Sequence, residues 1–192
     1  MAKKILIINA HPDEKSFNFG LCEAYENGAK SSGAQIEVLN LRDLKFNPSL
    51  EFGYRKSMDL EPDLVTAQEK IKWANHLVFI HPLWWGSYPA ILKGFIDRIF
   101  LPRFAYNYKD GVREKLLKYK SARIITTMDQ PSWWYKYISG EPSTKQLKNI
   151  TLKFCGVNPV YTNYIGIVVD SKEEKRKKWL EEVRKLGEKD AR

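Results

Sequence analysis

An open, doubly wound α/β sheet of five parallel strands, with helices on both faces, is the fold this sequence predicts. Three observations carry that expectation. Short apolar runs of strand length alternate with amphipathic stretches of helical period along the whole chain. The first run, Lys3-Lys4-Ile5-Leu6-Ile7-Ile8-Asn9-Ala10, is apolar almost throughout, as a central strand buried on both faces must be. Polar or aromatic turns follow the first, third and fourth runs, and such sheets hold ligands beyond the carboxyl ends of their strands.

The elements follow in order. After the first strand, His11-Pro12-Asp13-Glu14-Lys15-Ser16-Phe17-Asn18 opens a helix with Phe17, Leu21, Ala24, Tyr25 and Ala29 on one face. Ser16 suits the N-cap, where the first turn exposes unpaired backbone N–H groups. A strand–loop–helix junction of this kind is a ready anion site, with His11, Ser16 and Asn18 as extra donors; an ordinary cap is the alternative for Ser16. Neither G-x-G-x-x-G nor G-x-x-x-x-G-K-[ST] occurs, which argues against a Rossmann fingerprint and a P-loop. Gly33 stops the helix, and Gln35 to Leu41 alternates as a second strand towards a sheet edge.

Arg42 to Pro62, with Phe46, Asn47, Pro48, Phe52 and Tyr54, is long and irregular, a length that in compact domains is functional or interfacial. Asp63 to Asn75 reads as a helix with Leu64, Ala67, Ile71 and Ala74 inward, and His76 to Ile80 as the third strand. The turn after it, His81-Pro82-Leu83-Trp84-Trp85-Gly86-Ser87-Tyr88-Pro89, is the stretch around which the chain is organised. The prolines stiffen its ends, Gly86 allows a close approach, and the two tryptophans offer flat apolar faces to a planar aromatic ligand. Ile91, Leu92, Phe95, Ile96, Ile99 and Phe100 then repeat at helical period.

Leu101 to Tyr108, which includes Tyr106, is aromatic and poorly periodic and reads as a covering loop. Ser121 to Thr127 is the fourth strand. Met128-Asp129-Gln130-Pro131-Ser132-Trp133-Trp134-Tyr135-Lys136-Tyr137 follows as a further carboxyl-end ligand loop. Thr144 to Cys155 reads as a helix stopped by Gly156, Val160 to Val169 as the fifth strand, and Lys172 to Lys189 as a basic amphipathic helix. The missing Rossmann glycines favour the flavodoxin-like strand order 2-1-3-4-5, in which the loops after strands one, three and four converge on one site.

Composition sets the outer bounds. A chain of 192 residues, 43% hydrophobic and 29% charged, is one soluble domain spanning residues 1–192. No apolar run approaches the ~20 residues of a membrane span, and the first strand begins too early for a targeting segment. Cys22 and Cys155, both on expected helices, make no disulfide framework, which places the chain in a reducing cytoplasm. Much of the excess behind the net charge of +9 sits in the last helix among glutamates, so it marks a solvated face and a field attracting anions rather than a nucleic-acid site.

These residues resemble the NAD(P)H:quinone oxidoreductase (DT-diaphorase) family of flavodoxin-like flavoproteins over almost the whole length. His11 with Ser16-Phe17-Asn18, and Pro82-Leu83-Trp84-Trp85 with Pro89-Ala90-Ile91-Leu92-Lys93-Gly94, carry the resemblance. Thr126-Thr127 and Phe154-Cys155-Gly156 support it. The resemblance implies a flavin, FAD slightly favoured over FMN, with its phosphate on His11, Ser16, Phe17 and Asn18. It places the ring on Pro82, Leu83, Trp84, Trp85 and Gly86, and its pyrimidine edge near Thr126, Thr127, Met128 and Asp129. Tyr135 is the catalytic candidate, and Trp134, Tyr135 and Tyr106 wall the substrate pocket. A homodimer and ping-pong hydride transfer from NAD(P)H to a quinone or similar small aromatic acceptor are also implied. Met128-Asp129 stands where the family commonly has two glycines, and no histidine follows Tyr135. Two other classes compete: a flavin-binding regulatory subunit of a potassium-efflux transporter, and a flavodoxin-like electron carrier.

Overall fold

The computed structural model describes residues 2–53 and 55–192; Tyr54, named above in the long loop, lies outside them, as does Met1. The chain runs β1 (Lys4–Asn9), α1 (Phe17–Ser31), β2 (Gln35–Asn40), a 3₁₀ turn (Leu41–Asp43), α2 (Pro62–Trp73), β3 (His76–Pro82) and α3 (Ala90–Ile99). It continues through β4 (Tyr106–Lys109), β5 (Val112–Lys115), β6 (Ser121–Met128), a π-helical turn (Trp134–Ile138) and α4 (Pro142–Lys145). A π-helical segment (Gln146–Leu152), α5 (Lys153–Cys155), β7 (Val160–Gly166) and α6 (Glu173–Asp190) complete it.

The main sheet has the order β2-β1-β3-β6-β7 with every neighbouring pair parallel. This is the expected 2-1-3-4-5 order with a hairpin inserted before its fourth strand. Because side chains alternate across a strand, β1 feeds two cores. Ile5 and Ile7 pack with Leu21, Tyr25 and Ala29 of α1 and Val183 of α6. Leu6 and Ile8 pack on the opposite face with Leu64, Ala67 and Ile71 of α2 and Leu92, Phe95 and Ile99 of α3. Helices therefore cover both faces.

Three expectations need correction. Leu101 to Tyr108 is not simply a loop: Tyr106–Lys109 pairs antiparallel with Val112–Lys115, turned by Asp110 and Gly111, both at positive φ. An Asp-Gly pair is a strong hairpin signal, but the exposed strands lack the apolar alternation that marks a sheet against a core. Thr144 to Cys155 is not one α-helix but two short α pieces joined by π-helical turns. The fifth strand ends at Gly166 instead of Val169, because Ile167 enters the left-handed region (φ 59°).

The long loop after β2 is pinned across α3. Arg98, 1% exposed, donates to Asn47 O (2.6 Å), Asp59 O (2.8 Å) and both Glu61 carboxylate oxygens (3.2 and 2.8 Å). Burial pushes the Glu61 carboxyl up, but the Asn47 N–H, its own N–H and the Arg98 guanidinium outweigh it and hold it below its usual range. Gly94 is what lets the loop lie so close: a Cβ there would sit 2.4 Å from Pro48 Cβ and 2.7 Å from its carbonyl oxygen. α3 is thereby fixed, and with it the turn that precedes it.

α1 and α6 cross with their backbones in near contact. A Cβ on Gly28 would fall 1.9 Å from Arg184 O, and one on Gly187 would fall 2.2 Å from Tyr25 O. The end of α6 carries Asp190 into a buried polar cluster at the amino end of the sheet. Its carboxylate accepts from Tyr25 OH (2.7 Å) and from Arg123 Nη2 (2.7 Å) and Nε. His76 Nε2 lies 3.3 Å away, and the other His76 nitrogen meets Ser121 Oγ at 2.7 Å.

Candidate functional site

The loops after β1, β3 and β6 do converge. At the carboxyl end of the sheet a cleft of about 140 Å³ is lined by His11, Ser16, Phe17, Asn18, Pro82, Leu83, Trp84, Thr127, Met128, Asp129 and Val168. Ten of these were expected from the sequence. Val168 was not. Outside the lining, and also not expected, Arg176 sets its guanidinium 5.8 Å from the centroid of the Phe17 ring. Arg176 is held there by bonds to Ser171 Oγ (2.8 Å) and Val168 O (3.1 Å). Only a basic residue facing the first turn of α1 could have signalled it, and a sequence does not display that facing.

The first-turn geometry speaks against Ser16 as an ordinary cap. Ser16 occupies the N-cap with extended backbone, yet makes no capping bond. Its Oγ is buried without a partner, and so is Asn18 Nδ2. Thr127 Oγ1 donates to Asn18 Oδ1 at 2.8 Å, which fixes the amide and leaves its NH₂ as the spare donor. With no acidic residue in the first turn of α1, two unspent buried donors stand at the positive end of a helix dipole. Burying a polar group without a partner costs roughly 1–3 kcal/mol, and an anion seated here would recover it. Ser16→Ala is therefore expected to cost less than the ~1 kcal/mol of a lost cap. A urea melt shifted by more than that would show the hydroxyl serving the helix instead.

Beneath the cleft, Asn9 Oδ1 accepts from the His11 N–H (3.2 Å), and His11 Nδ1 accepts from the Asp13 N–H (3.0 Å). Burial lowers the His11 pKa, against the raising influence of Asp13. Its ring meets Trp84 edge-on at 5.6 Å. His81, fully buried, donates from Nδ1 to Pro82 O (3.0 Å), so Nε2 faces the Thr126 hydroxyl (3.4 Å). Burial drives the His81 pKa down to about 4, and it is neutral at physiological pH.

The β3 turn is tight. Trp84 N–H and Ser87 N–H each bond the other's carbonyl (2.8 and 2.9 Å), with Trp85 and Gly86 between them at φ 49° and 75°. A pair of left-handed residues is the I′ pattern. Trp84 turns its ring to the cleft, but Trp85 is 104% exposed and stands outside it.

Several expected residues are placed elsewhere. Thr126 is buried under the site and spends its hydroxyl on His81 rather than in the cleft. Gly86 shapes the turn without lining the cleft. Tyr135 does not reach it: the side chain is fully buried, and its hydroxyl meets Thr144 Oγ1 and N–H, both at 3.1 Å. A π-helical turn aims it inward, away from the cleft. Trp134 and Trp133 are instead half-exposed and packed edge to face. Tyr106 lies on the hairpin, against Phe154 (5.2 Å), in a different groove.

A family profile described as "Flavodoxin-like fold" matches residues 3–186. The NAD(P)H dehydrogenase [quinone] 1 of Cavia porcellus is 32% identical over 192 residues, covering 85% of this chain and 70% of its own. The chain belongs to the NAD(P)H:quinone oxidoreductase family. An uncharacterized NAD(P)H oxidoreductase of Haemophilus influenzae is 29% identical, over 88% of both chains. Among solved structures, Smu.1420 from Streptococcus mutans UA159 has a TM-score of 0.85 at 34% identity, covering 97% of this chain and 99% of its own. The NAD(P)H:quinone oxidoreductase from Methanothermobacter marburgensis has a TM-score of 0.84 at 26% identity, covering 98% of each. Like its NAD(P)H:quinone oxidoreductase relatives, the protein is an oxidoreductase of the NAD(P)H dehydrogenase type.

Proposed function

We propose that the protein is a flavin-dependent NAD(P)H oxidoreductase that passes two electrons, in ping-pong order, to a quinone or similar small aromatic acceptor. The observation that carries this is the pair of unspent buried donors, Ser16 Oγ and Asn18 Nδ2, at the amino end of α1. They suit the phosphate of FAD or FMN, FAD being slightly favoured, with His11, Phe17 and Arg176 around them. Pro82, Leu83 and Trp84 form the apolar wall for the ring. Thr127, Met128 and Asp129 edge the cleft from β6. The flavin supplies the hydride chemistry when bound; the chain supplies placement and field.

No histidine relays a proton here. His81 is sealed and neutral, His11 belongs to the anion end, and His76 lies at the opposite end of the sheet, where β3 begins. Protons would come from water at the open mouth. The exposed Trp84, Trp85, Trp133, Trp134, Tyr137 and Ile138 follow the carboxyl ends of the adjacent strands β3 and β6. So much apolar area beside one site supports a homodimer that covers it. A reducing cytoplasm suits the two buried free thiols, Cys22 and Cys155, whose pKa values burial pushes up, to about 12 for Cys155. Among the described residues no helix is long and apolar enough to cross a membrane.

The test is an anaerobic titration of the purified, flavin-loaded protein with NADPH. Bleaching of the visible flavin band at one equivalent is expected, with recovery on adding a benzoquinone. A bound flavin that NADH and NADPH leave oxidised would overturn the reductase reading. Failure to take up FMN or FAD at all would remove the cofactor.

A further inference from the structure

The cleft has a mixed field. Ser16 Oγ and Asn18 Nδ2 stand ready for an anion, yet the same lining carries a carboxylate, that of Asp129. It is the one acidic residue of the lining, and His11, the other titratable one, is biased towards its neutral form by burial.

The end of β6 that carries Asp129 is fixed from both sides. In the β3 turn the Leu83 N–H bonds Thr127 O (2.7 Å), and beyond β7 the Val168 N–H bonds Met128 O (3.2 Å). The Asp129 side chain turns towards the second of these neighbours, where its Oδ1 accepts from the Val169 N–H at 2.9 Å. The carboxylate is thereby set beside the wall that Val168 forms, at the exposed rim of the cleft. Its other oxygen, Oδ2, has no hydrogen bond among the described residues. Nor does either oxygen enter an ion pair among them.

A structural role accounts for only part of this. Tying the chain beyond β7 needs an oxygen to accept from the Val169 N–H, and an asparagine amide would supply one. The charge is the part left over. An unpaired negative charge in a cleft that otherwise favours anions works against the rest of the field. Nearby charge is one of the means by which a protein tunes a bound cofactor.

We propose that the Asp129 carboxylate sets the reducing power of the site. Its charge opposes the negative charge that a bound flavin gains with electrons, so the cleft holds the reduced cofactor less tightly than the oxidised one. This rests on the flavin reading above. A site biased in this way makes its cofactor a stronger reductant and suits aromatic acceptors that are harder to reduce than a benzoquinone. A unit charge several ångströms away at a partly solvated rim is worth about a tenfold factor in such an equilibrium.

The experiment compares wild type, Asp129→Asn and Asp129→Ala, each loaded with FMN or FAD. Asparagine keeps the oxygen and removes the charge, whereas alanine removes both. Spectroelectrochemical titration at fixed pH and ionic strength gives the midpoint potential of the bound flavin. Thermal melts of the apoprotein report the tie to Val169. A difference in potential measures the ratio of the affinities for the two redox forms, because binding and reduction are linked. The expected result is a midpoint potential about 30 mV higher in both variants, which for a two-electron couple is a tenfold gain in relative affinity for the reduced form. The thermal midpoint should hold in Asp129→Asn and fall in Asp129→Ala. A potential that is unchanged or lower in Asp129→Asn would overturn the proposal while leaving the flavin reading intact. A rise confined to Asp129→Ala would overturn it too, by tracing the effect to the lost tie instead of the charge. A wild type that takes up neither flavin would remove the reading on which it rests.

Discussion

Replacing Asp190 with alanine is expected to destabilise the protein by about 3–5 kcal/mol, the usual cost of breaking a buried ion pair from one side. The carboxylate is 5% exposed, as is the Arg123 side chain it pairs with. Removing it strands the guanidinium, whose remaining partners are Asn163 Oδ1 and the Tyr161 ring 5.1 Å away, and leaves Tyr25 OH without an acceptor. Urea unfolding at neutral pH measures the loss. A second check uses acid. Burial pushes the Asp190 carboxyl up, but bonds from Arg123, His76 and Tyr25 outweigh that and hold it well below the usual carboxylate range. A depressed folded-state pKa contributes stability that is present above the unfolded value of about 4 and is lost as pH falls towards the folded value. The wild type should therefore lose stability below about pH 4 more steeply than Asp190→Ala. Parallel pH curves, or a urea shift under 1 kcal/mol, would show that the cluster does not hold the helix.

Gly166→Ala is expected to leave the fold standing but to weaken flavin binding by tenfold or more. The new methyl would meet backbone atoms of Gln130 and Ser132 at 2.6–2.7 Å, well inside the distance that real Cβ atoms keep. The loop must move, and it begins at Met128 and Asp129, which edge the cleft. Even a small displacement of positioning groups is costly in a site of this kind. Unchanged far-ultraviolet circular dichroism with a raised Kd for FMN and FAD is the expected outcome. Wild-type affinity would show that the loop after β6 does not position the cofactor.

The main sheet was legible because buried parallel strands advertise themselves as apolar runs, and β1, β3 and β6 do so with little interruption. The helix start that edges the cleft was legible for a related reason: such a start is local, and Ser16 and Asn18 sit within one turn of it. Tyr135 was misread because four aromatics in five residues look alike in sequence, while a π-helical turn buries one and leaves Trp133, Trp134 and Tyr137 outside. Arg176 and Val168 depend on how the last strand and helix fold back over the first helix, and periodicity carries no such information. Neither does it disclose the pairing of Arg123 with Asp190, which are 67 residues apart.

The close crossing of α1 and α6, with Gly28 against Arg184 and Gly187 against Tyr25, has a bearing on synthesis. Tyr25 and Asp190, bonded across that crossing, are separated by 165 residues. The helix that carries Asn18 and begins after Ser16 therefore leaves a ribosome well before the helix that braces it. Contacts of such sequence separation form late and slow the folding of a chain. A nascent chain will have made the β1, β3 and β6 sides of its cleft before it can clamp them, so the cleft should become rigid only once α6 has emerged.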